Sequence, residues 1–447
     1  MSHCPSIFIS AGEASGEHYG ALLVAALQQR LAAVGQTAQF FGMGGERMKA
    51  AGLETVVRSE DMAVMGLTEI LHHLPHIWRE FRKLKRAIRE RRPSVAVLID
   101  FPEIHFRLAE ELHRLGIPVI FFVSPQLWAW KKHRIKLVEK YIDRMLVIFP
   151  FEEPFYRSHG VKAEFVGHPL AELPQPSVSR EQFAAEDGLD AAKTWIGLLP
   201  GSRPKEIRDN LPEILKAAAE LERNREGSPG WRIREAQISG AKAPIDSESL
   251  ARGLKPPSPS DTSSSPRCKA ESFQFVIPLA ATLNGAQRDE VRQLVEAHGG
   301  GLDVRLVEDA RAALFHARAS VVASGTATVE AALIGNPFVV VYRVSPITFA
   351  IAKRVVKVDH VAMANLIAGK RVVTELIQDD FTAENIVQEI ERLLPDGPQR
   401  QSMIEELATI RGLLKTREPG HGESGGAIGR VAAVTLELLG LSPRAGE

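Results

Sequence analysis

The sequence predicts an α/β protein of two doubly wound parallel-sheet halves, and three observations carry that expectation. Short apolar runs alternate with longer segments of helical period through residues 1–170, and a second series of the same kind begins near residue 195. Between them lies Ala171 to Ala184, a polar segment carrying Pro174 and Pro176, as an interdomain linker would. The length of 447 residues allows about three domains or two large ones.

Taken in order, the first-half strands are Ser6 to Ser10, Ala38 to Gly42, Ser94 to Ile99, Pro118 to Val123, Arg144 to Ile148 and Ala163 to Val166. Helical stretches such as Gly20 to Ala33 and Phe106 to Leu115 lie between them. The second series runs through Trp195 to Leu199, Phe273 to Leu279, Val304 to Val307, Ser320 to Ala323 and Phe338 to Tyr342. Residues Arg223 to Ser272 depart from this rhythm, and the Pro- and Ser-rich core KPPSPSDTSSSPRCK reads as a disordered insertion in the second domain. The expected division is residues 1–170, residues 171–425 with the insertion at 223–272, and a terminal segment, 426–447.

Composition removes several function classes. Lys plus Arg and Asp plus Glu both number 55, so the chain is formally neutral and no nucleic-acid partner is expected. The longest apolar runs, such as Ile117 to Val123, fall far short of the ~18 residues of a membrane-spanning helix. The start, MSHCPSIFIS, has no basic region ahead of its apolar run, so a cleaved signal peptide is not expected and the chain is placed in the cytoplasm. Two cysteines, Cys4 and Cys268, build neither a disulfide framework nor a metal cage. The histidines show no metal-ligand spacing, and neither a Walker sequence nor a Gly-x-Ser-x-Gly elbow is present.

Five constellations sit where ligands bind in such folds. Gly12-Glu-Ala-Ser-Gly16-Glu-His-Tyr-Gly20 opens a helix after the first strand, with Glu13 and Ser15 as polar groups that a plain turn does not require; a tight βα turn is the alternative. Gly201-Ser202-Arg203 follows a second strand and suits a phosphate or diphosphate, against the alternative of a solvated Arg. Ser324-Gly325-Thr326 faces the start of the next helix as an anion site, and Glu330, one turn on, can accept hydrogen bonds from a ribose diol; the alternative is a capped helix with a solvated Glu. Asp100-Phe-Pro-Glu103 ends a central strand, where Asp100 serves either as a general base or as a helix cap. Finally, the apolar Met62, Val64, Met65 and Leu67 precede a segment rich in Arg and Lys, including Arg82, Lys83, Lys85 and Arg86, which suits an anionic membrane surface or a solvated helix face. Trp128 and Trp130, beside Lys131 to Arg134, add aromatic and basic groups at another strand's end.

Taken together, SAGEASGE at 10–17, GMGG at 42–45, DMAVMGLTEIL at 61–71, DFPE at 100–103, SPQLWAWKKHR at 124–134, FVGHP at 165–169, LLPGSR at 198–203, SGTATVEAAL at 324–333 and NLIAGKRVVTELIQDD at 365–380 resemble the lipid-A-disaccharide synthase family. The resemblance covers about residue 6 to residue 395 apart from the insertion. It implies a GT-B glycosyltransferase: two Rossmann-like domains facing across a cleft, inverting, independent of metal and using no cofactor. It further implies that UDP-diacylglucosamine donates to diacylglucosamine 1-phosphate, giving a β(1→6) lipid A disaccharide and UDP, at the cytoplasmic face of the inner membrane.

By motif matching, Asp100 is the expected base. Gly201, Ser202, Arg203, Ser324, Gly325, Thr326, Glu330, Asn365, Gln378 and Asp379 are expected on the UDP-sugar side, and Glu13, Ser15, Glu103 and Trp128 on the acceptor side. The last helix, Ile428 to Leu441, is expected to cross back to the first domain. The resemblance leaves a homodimer open. The family often has Asp-x-Pro-Asp-Phe-Asn where this chain has Glu103-Ile104-His105, which changes the acceptor side. Rival readings are another UDP-sugar enzyme of the same fold, an epimerase or a soluble-acceptor transferase, and an inactive nucleotide-sugar binding protein.

Overall fold

The computed structural model describes residues 4–62, 67–227, 272–345, 349, 360–415 and 426–441, with the backbone alone at 67–74 and 226–227. The chain forms two compact units: Met1–Pro174 with Ser345–Asp359 and Thr409–Glu447, and Gln175–Val344 with His360–Ala408.

Unit 1 alternates β1 (Ser6–Ala11), α1 (Ala14–Ala33), β2 (Gln39–Gly44), α2 (Glu46–Ala50), β3 (Glu54–Arg58), α3 (Leu67–Arg91), β4 (Val95–Ile99), α4 (Pro102–Arg114), β5 (Val119–Phe122), α5 (Ile135–Tyr141), β6 (Arg144–Val147), α6 (Glu152–Arg157) and β7 (Ala163–Phe165). Its parallel sheet has the order β3-β2-β1-β4-β5-β6-β7. β4 shows why its strands read as unbroken apolar runs. Ala96 and Leu98 enter one apolar cluster, Val95, Val97 and Ile99 the other, because helices cover both faces. Burial of each such Val, Leu or Ile contributes ~1.5–3 kcal/mol.

The sequence reading omits β3, a partly exposed edge strand with Val57 as its one buried residue. It also starts α1 too late. The helix begins at Ala14, and Gly16 lies within its first turn, packed on β4 near the Ile99 carbonyl.

Unit 2 contains α7 (Arg180–Asp187), β8 (Thr194–Leu199), α8 (Pro204–Gly227), β9 (Phe273–Pro278), α9 (Gly285–His298), β10 (Val304–Val307), α10 (Ala310–His316), β11 (Ala319–Ala323), α11 (Thr326–Ile334), β12 (Phe338–Tyr342), α12 (Met363–Ala368), β13 (Glu375–Ile377) and α13 (Ala383–Leu393). Its sheet has the order β10-β9-β8-β11-β12-β13. The three-residue edge strand β13 is absent from the sequence reading. α14 (Pro398–Leu413) contains the last of the unit boundaries, between Ala408 and Thr409.

Two expectations on connections are corrected. The segment Ala171 to Ala184 is not a continuous linker: a 3-10 turn spans Pro169–Glu172, and α7 starts at Arg180 because Ser179 caps it through the Gln182 N–H (3.1 Å). Arg180 then ties α7 down, donating to the Ala191, Lys193 and His316 carbonyls and stacking 3.6 Å from the Trp195 ring. Arg223 to Gly227, expected inside the insertion, form the last turn of α8. Residues 228–271 lie outside the described residues.

The last helix, α15 (Ala427–Leu438), belongs to unit 1, where Val431, Val434 and Leu436 share an apolar cluster with Leu23 and Leu27 of α1 and Val97 of β4. No described helix is long and apolar enough to cross a membrane.

Candidate active site

Each sheet reverses its order once, between β1 and β4 in unit 1 and between β8 and β11 in unit 2. Ligands bind open α/β sheets beyond the strand carboxyl ends at such points. In unit 1, Ala11 pairs with Ile99, so the segment Gly12-Glu13 and the segment Asp100-Phe101 leave the sheet side by side.

Asp100 and Phe101 both adopt left-handed backbone, φ 53° and 54°. For residues bearing a Cβ this costs ~1–2 kcal/mol each, so the surroundings must hold it. The Asp100 N–H donates to the Phe122 carbonyl at 2.9 Å. The Phe101 ring lies over Gly12, where a Cβ would come within 2.3 Å of it, so position 12 requires glycine. His105, one turn into α4 and fully buried, has Nδ1 2.5 Å from the Asp100 carbonyl and Nε2 2.9 Å from Ser10 Oγ. A carbonyl only accepts, so Nδ1 carries the hydrogen and Nε2 accepts from the Ser10 hydroxyl. Burial holds the His105 pKa down at about 4, with the bond to the Asp100 backbone pulling the other way. Phe101, not Asp100, is the N-cap residue of α4, and its side chain makes no capping hydrogen bond.

Around this turn, Glu103 accepts from Lys131 Nζ and Arg134 Nη1, both at 3.1 Å. Burial works to raise its pKa, and the two cations outweigh that and hold it below the ordinary glutamate value. Glu13 is exposed and Ser15 lies in the first turn of α1. Glu17 accepts the Arg47 N–H (2.9 Å) at the start of α2. Trp128 packs edge-on against Phe151 and donates from Nε1 to Glu152 at 3.3 Å. Glu152 is fully buried and also accepts the Phe149 N–H (3.1 Å), and burial pushes its pKa up to about 8.

In unit 2, Val322 pairs with Leu199, so Pro200 to Arg203 and Ser324 to Thr326 emerge as neighbours. Asn210, buried in α8, donates to the Pro200 carbonyl at 2.8 Å and sets the turn. Gly201 has φ +132°, with a Cβ there meeting Glu206 at 2.7 Å. The Glu206 carboxylate accepts the Ser202 N–H at 3.3 Å and lies 3.6 Å from Arg203 Nη1. A protein carboxylate thus sits among the groups expected to bind the diphosphate. Gly325 (φ +151°) caps α11, where Thr328 Oγ1 donates back to the Gly325 carbonyl at 2.7 Å. One turn on, burial raises the Glu330 pKa, and Arg311 draws it down.

Of three further residues expected on the UDP-sugar side, Asn365 and Gln378 are hydrogen-bonded within the chain and Asp379 is exposed. Asn365 is fully buried, and all four of its amide hydrogen-bonding positions are spent within the chain: it donates to the Val373 carbonyl and to Glu375, and accepts the Val372 and Val373 N–H groups. It shapes the loop before β13 instead of presenting a free position to a ligand. Gln378 accepts the Val344 N–H at 3.1 Å and donates to the Val344 carbonyl at 3.0 Å. Asp379 is exposed in the 3-10 turn that follows β13, two strands or ~10 Å from β11.

The expected membrane-facing group is also divided. Met62 is 3% exposed and belongs to the unit 1 core with Val57 and Phe81, which corrects its assignment to a surface. Lys83 pairs with Glu80 (2.8 Å) and Lys85 with Glu111 (2.7 Å), so both charges are engaged. Arg82 and Arg86 are exposed at one-turn spacing beyond Trp78, which is 52% exposed. Val64, Met65 and the side chain of Leu67 lie outside the described residues.

His105, Glu152 and Glu206 are absent from the expected site. Glu206 carried a local signal, an acidic residue in a first helical turn, and His105 one as part of the departure at Glu103-Ile104-His105; the role of Glu152 arises from burial.

A family model described as lipid-A-disaccharide synthetase matches residues 7–229 and 267–419. A lipid-A-disaccharide synthase of Acidobacterium capsulatum is 53% identical over 98% of both chains. Among solved structures, the calicheamicin glycosyltransferase CalG4 aligns over all of both chains with TM-score 0.53 and 17% identity. A UDP-GlcNAc 2-epimerase from Neisseria meningitidis, bound to UDP-GlcNAc, aligns over 97% of this chain and 98% of its own, with TM-score 0.53 and 14% identity. With a GT-B fold and a family match over most of its length, the chain belongs to the lipid-A-disaccharide synthase family, hexosyltransferases of lipid A biosynthesis.

Proposed function

We propose that the chain transfers 2,3-diacylglucosamine from UDP to a hydroxyl of 2,3-diacylglucosamine 1-phosphate, with inversion, forming the β(1→6) disaccharide 1-phosphate and releasing UDP. The observation that carries this reading is the turn at Asp100: a carboxylate at the sheet's reversal point, on a backbone held in a strained conformation. In the reaction Asp100 takes the acceptor hydroxyl proton as the oxygen bonds to the anomeric carbon and the bond to UDP breaks. Arg203 and the amides at Ser324 to Thr326 stabilise the charge on the leaving diphosphate, and Glu330 accepts from the ribose hydroxyls. Glu13, Glu103 and Trp128 line the acceptor side. The family assignment disfavours the epimerase and inactive-binder readings.

Trp78, Arg82 and Arg86 present an aromatic group and two cations to solvent along α3, which supports attachment to an anionic membrane surface from the cytoplasmic side, where lipid substrates reside. The test of the activity is UDP release in detergent micelles with chelator present. Acceptor-dependent, chelator-resistant release accompanied by a disaccharide is expected. Release without acceptor, or without a disaccharide, overturns the reading.

A further inference from the structure

We propose that His105 is a positioning residue for Asp100, aiming its carboxylate by holding its backbone carbonyl. This rests on the reading of Asp100 as the base. Asp100 and Phe101 are consecutive non-glycine residues in left-handed backbone, a conformation that relaxes unless the surroundings hold it. The Phe101 ring over Gly12 fixes one side of the turn and the Asp100 N–H to Phe122 a second. The carbonyl of Asp100 is the third point of attachment, and His105 Nδ1 holds it at 2.5 Å.

The imidazole is itself locked. Ser10 on β1 lies 2.9 Å from Nε2, and the edges of the Phe101 and Phe121 rings pack against it. Ser10 and His105 are both fully buried, so no water competes for either bond. With a pKa near 4 the ring is neutral at working pH, and its one N–H is the one that Asp100 receives. Ser10, His105 and Asp100 therefore form a chain linking β1 to the turn after β4. A misplacement of about 1 Å at a reacting group costs on the order of 10²-fold in rate, so this link bears on turnover more than on substrate binding.

Asparagine and glutamine separate the two ring nitrogens. The amide nitrogen of Asn occupies the place of Nδ1 and that of Gln the place of Nε2. His105→Asn should keep kcat within ~3-fold of the parent, because the donor to Asp100 remains. His105→Gln should lose at least ~10-fold in kcat, with UDP affinity and acceptor KM within about twofold. In an Asp100→Asn background, His105→Gln should cost less than twofold more, since both act on one step. Equal kcat in the Asn and Gln variants, or activity that follows melting temperature across them, overturns the proposal. Full activity of Asp100→Asn alone would instead remove the underlying reading of the base. Nitrogen-15 NMR of the unaltered protein supplies a measurement that no folding defect can obscure. A neutral Nδ1–H tautomer from pH 8 to pH 5 is expected; an Nε2–H tautomer or an imidazolium in that range overturns the proposal.

Discussion

The two sheet reversal points have the same topology and opposite character. In unit 1 the turn is strained and tied down: Asp100, Phe101 and Val123 all hold left-handed backbone just past strand ends, and buried hydrogen bonds through His105 secure the first of them. In unit 2 the turns are built from glycines, Arg203 is half exposed, and the strained non-glycine residue among the described residues is Gln378, at the sheet edge. Proton transfer depends on distance and angle, which favours stored strain and locked partners. Binding a diphosphate needs open amides and a mobile cation, which an ordered carboxylate such as Glu206 can hold until a ligand displaces it.

The comparison breaks most visibly at Asp100. Asp100→Asn is expected to lower kcat by ~10²-fold or more with UDP affinity nearly unchanged, measured by steady-state rates and calorimetry. Arg203→Ala should do the reverse, weakening UDP binding by roughly 10–100-fold, the loss of one charge-assisted contact to phosphate. A matching loss of UDP affinity in both variants would erase the division of labour.

The burial of polar groups in unit 1 has a pH signature. Folded Glu152 keeps its proton to about pH 8, whereas an unfolded glutamate releases it near 4.5. Across that window the folded chain binds the extra proton, so this group's stabilisation declines as pH rises, by about 1.4 kcal/mol per pH unit. His105 and His168, held down at about 4 and about 3, act oppositely below pH 6.5, where the unfolded imidazoles take up protons that the folded chain refuses. Thermal unfolding should therefore show a stability maximum near pH 6.5. Glu152→Gln should flatten the limb from pH 6.5 to 8 and steepen the acid limb between pH 4.5 and 6.5, where its opposing slope is removed; an unchanged basic limb would mean that Glu152 is ionised.

On α3, Arg82→Gln with Arg86→Gln should weaken binding to phosphatidylglycerol-containing vesicles by ~1 kcal/mol per charge. Lys83→Gln with Lys85→Gln should do less, because Glu80 and Glu111 already engage those charges. Equal effects from the two pairs would show that ion pairing does not decide which cations are available. The smallest effect is expected at Glu206. Removing its charge with Glu206→Gln should tighten UDP binding by ~3-fold, in line with the 0.3–1 kcal/mol of a charge at a helix start. Weaker binding would show that the carboxylate shapes the turn for the ligand instead of occupying its place.

Much of the architecture was legible because central strands of a parallel sheet are buried on both faces and read as apolar runs. Edge strands carry no such signal, which is why Glu54–Arg58 and Glu375–Ile377 escaped. The motifs at Asp100, Arg203 and Ser324 to Thr326 stood out because Gly, Pro and charged residues interrupt those runs at strand ends. Asn365, Gln378 and Met62 were assigned to ligand or membrane from their place in a motif, and each is engaged within the fold. Residue type tells what an amide or a thioether can bond, and not whether the chain has already used it.

By itself, then, the sequence determined the two parallel sheets, the family and the strand ends at which polar residues gather. Those depend on local hydrophobic period and on residues close together in the chain. Only the tertiary structure decided that Ser10, 95 residues away, locks the tautomer of His105. It also decided that Glu152 keeps its proton, and that Lys83 and Lys85 are spent where Arg82 and Arg86 are exposed. These outcomes depend on burial and on partners distant in sequence, and neither exists until the sheets have closed.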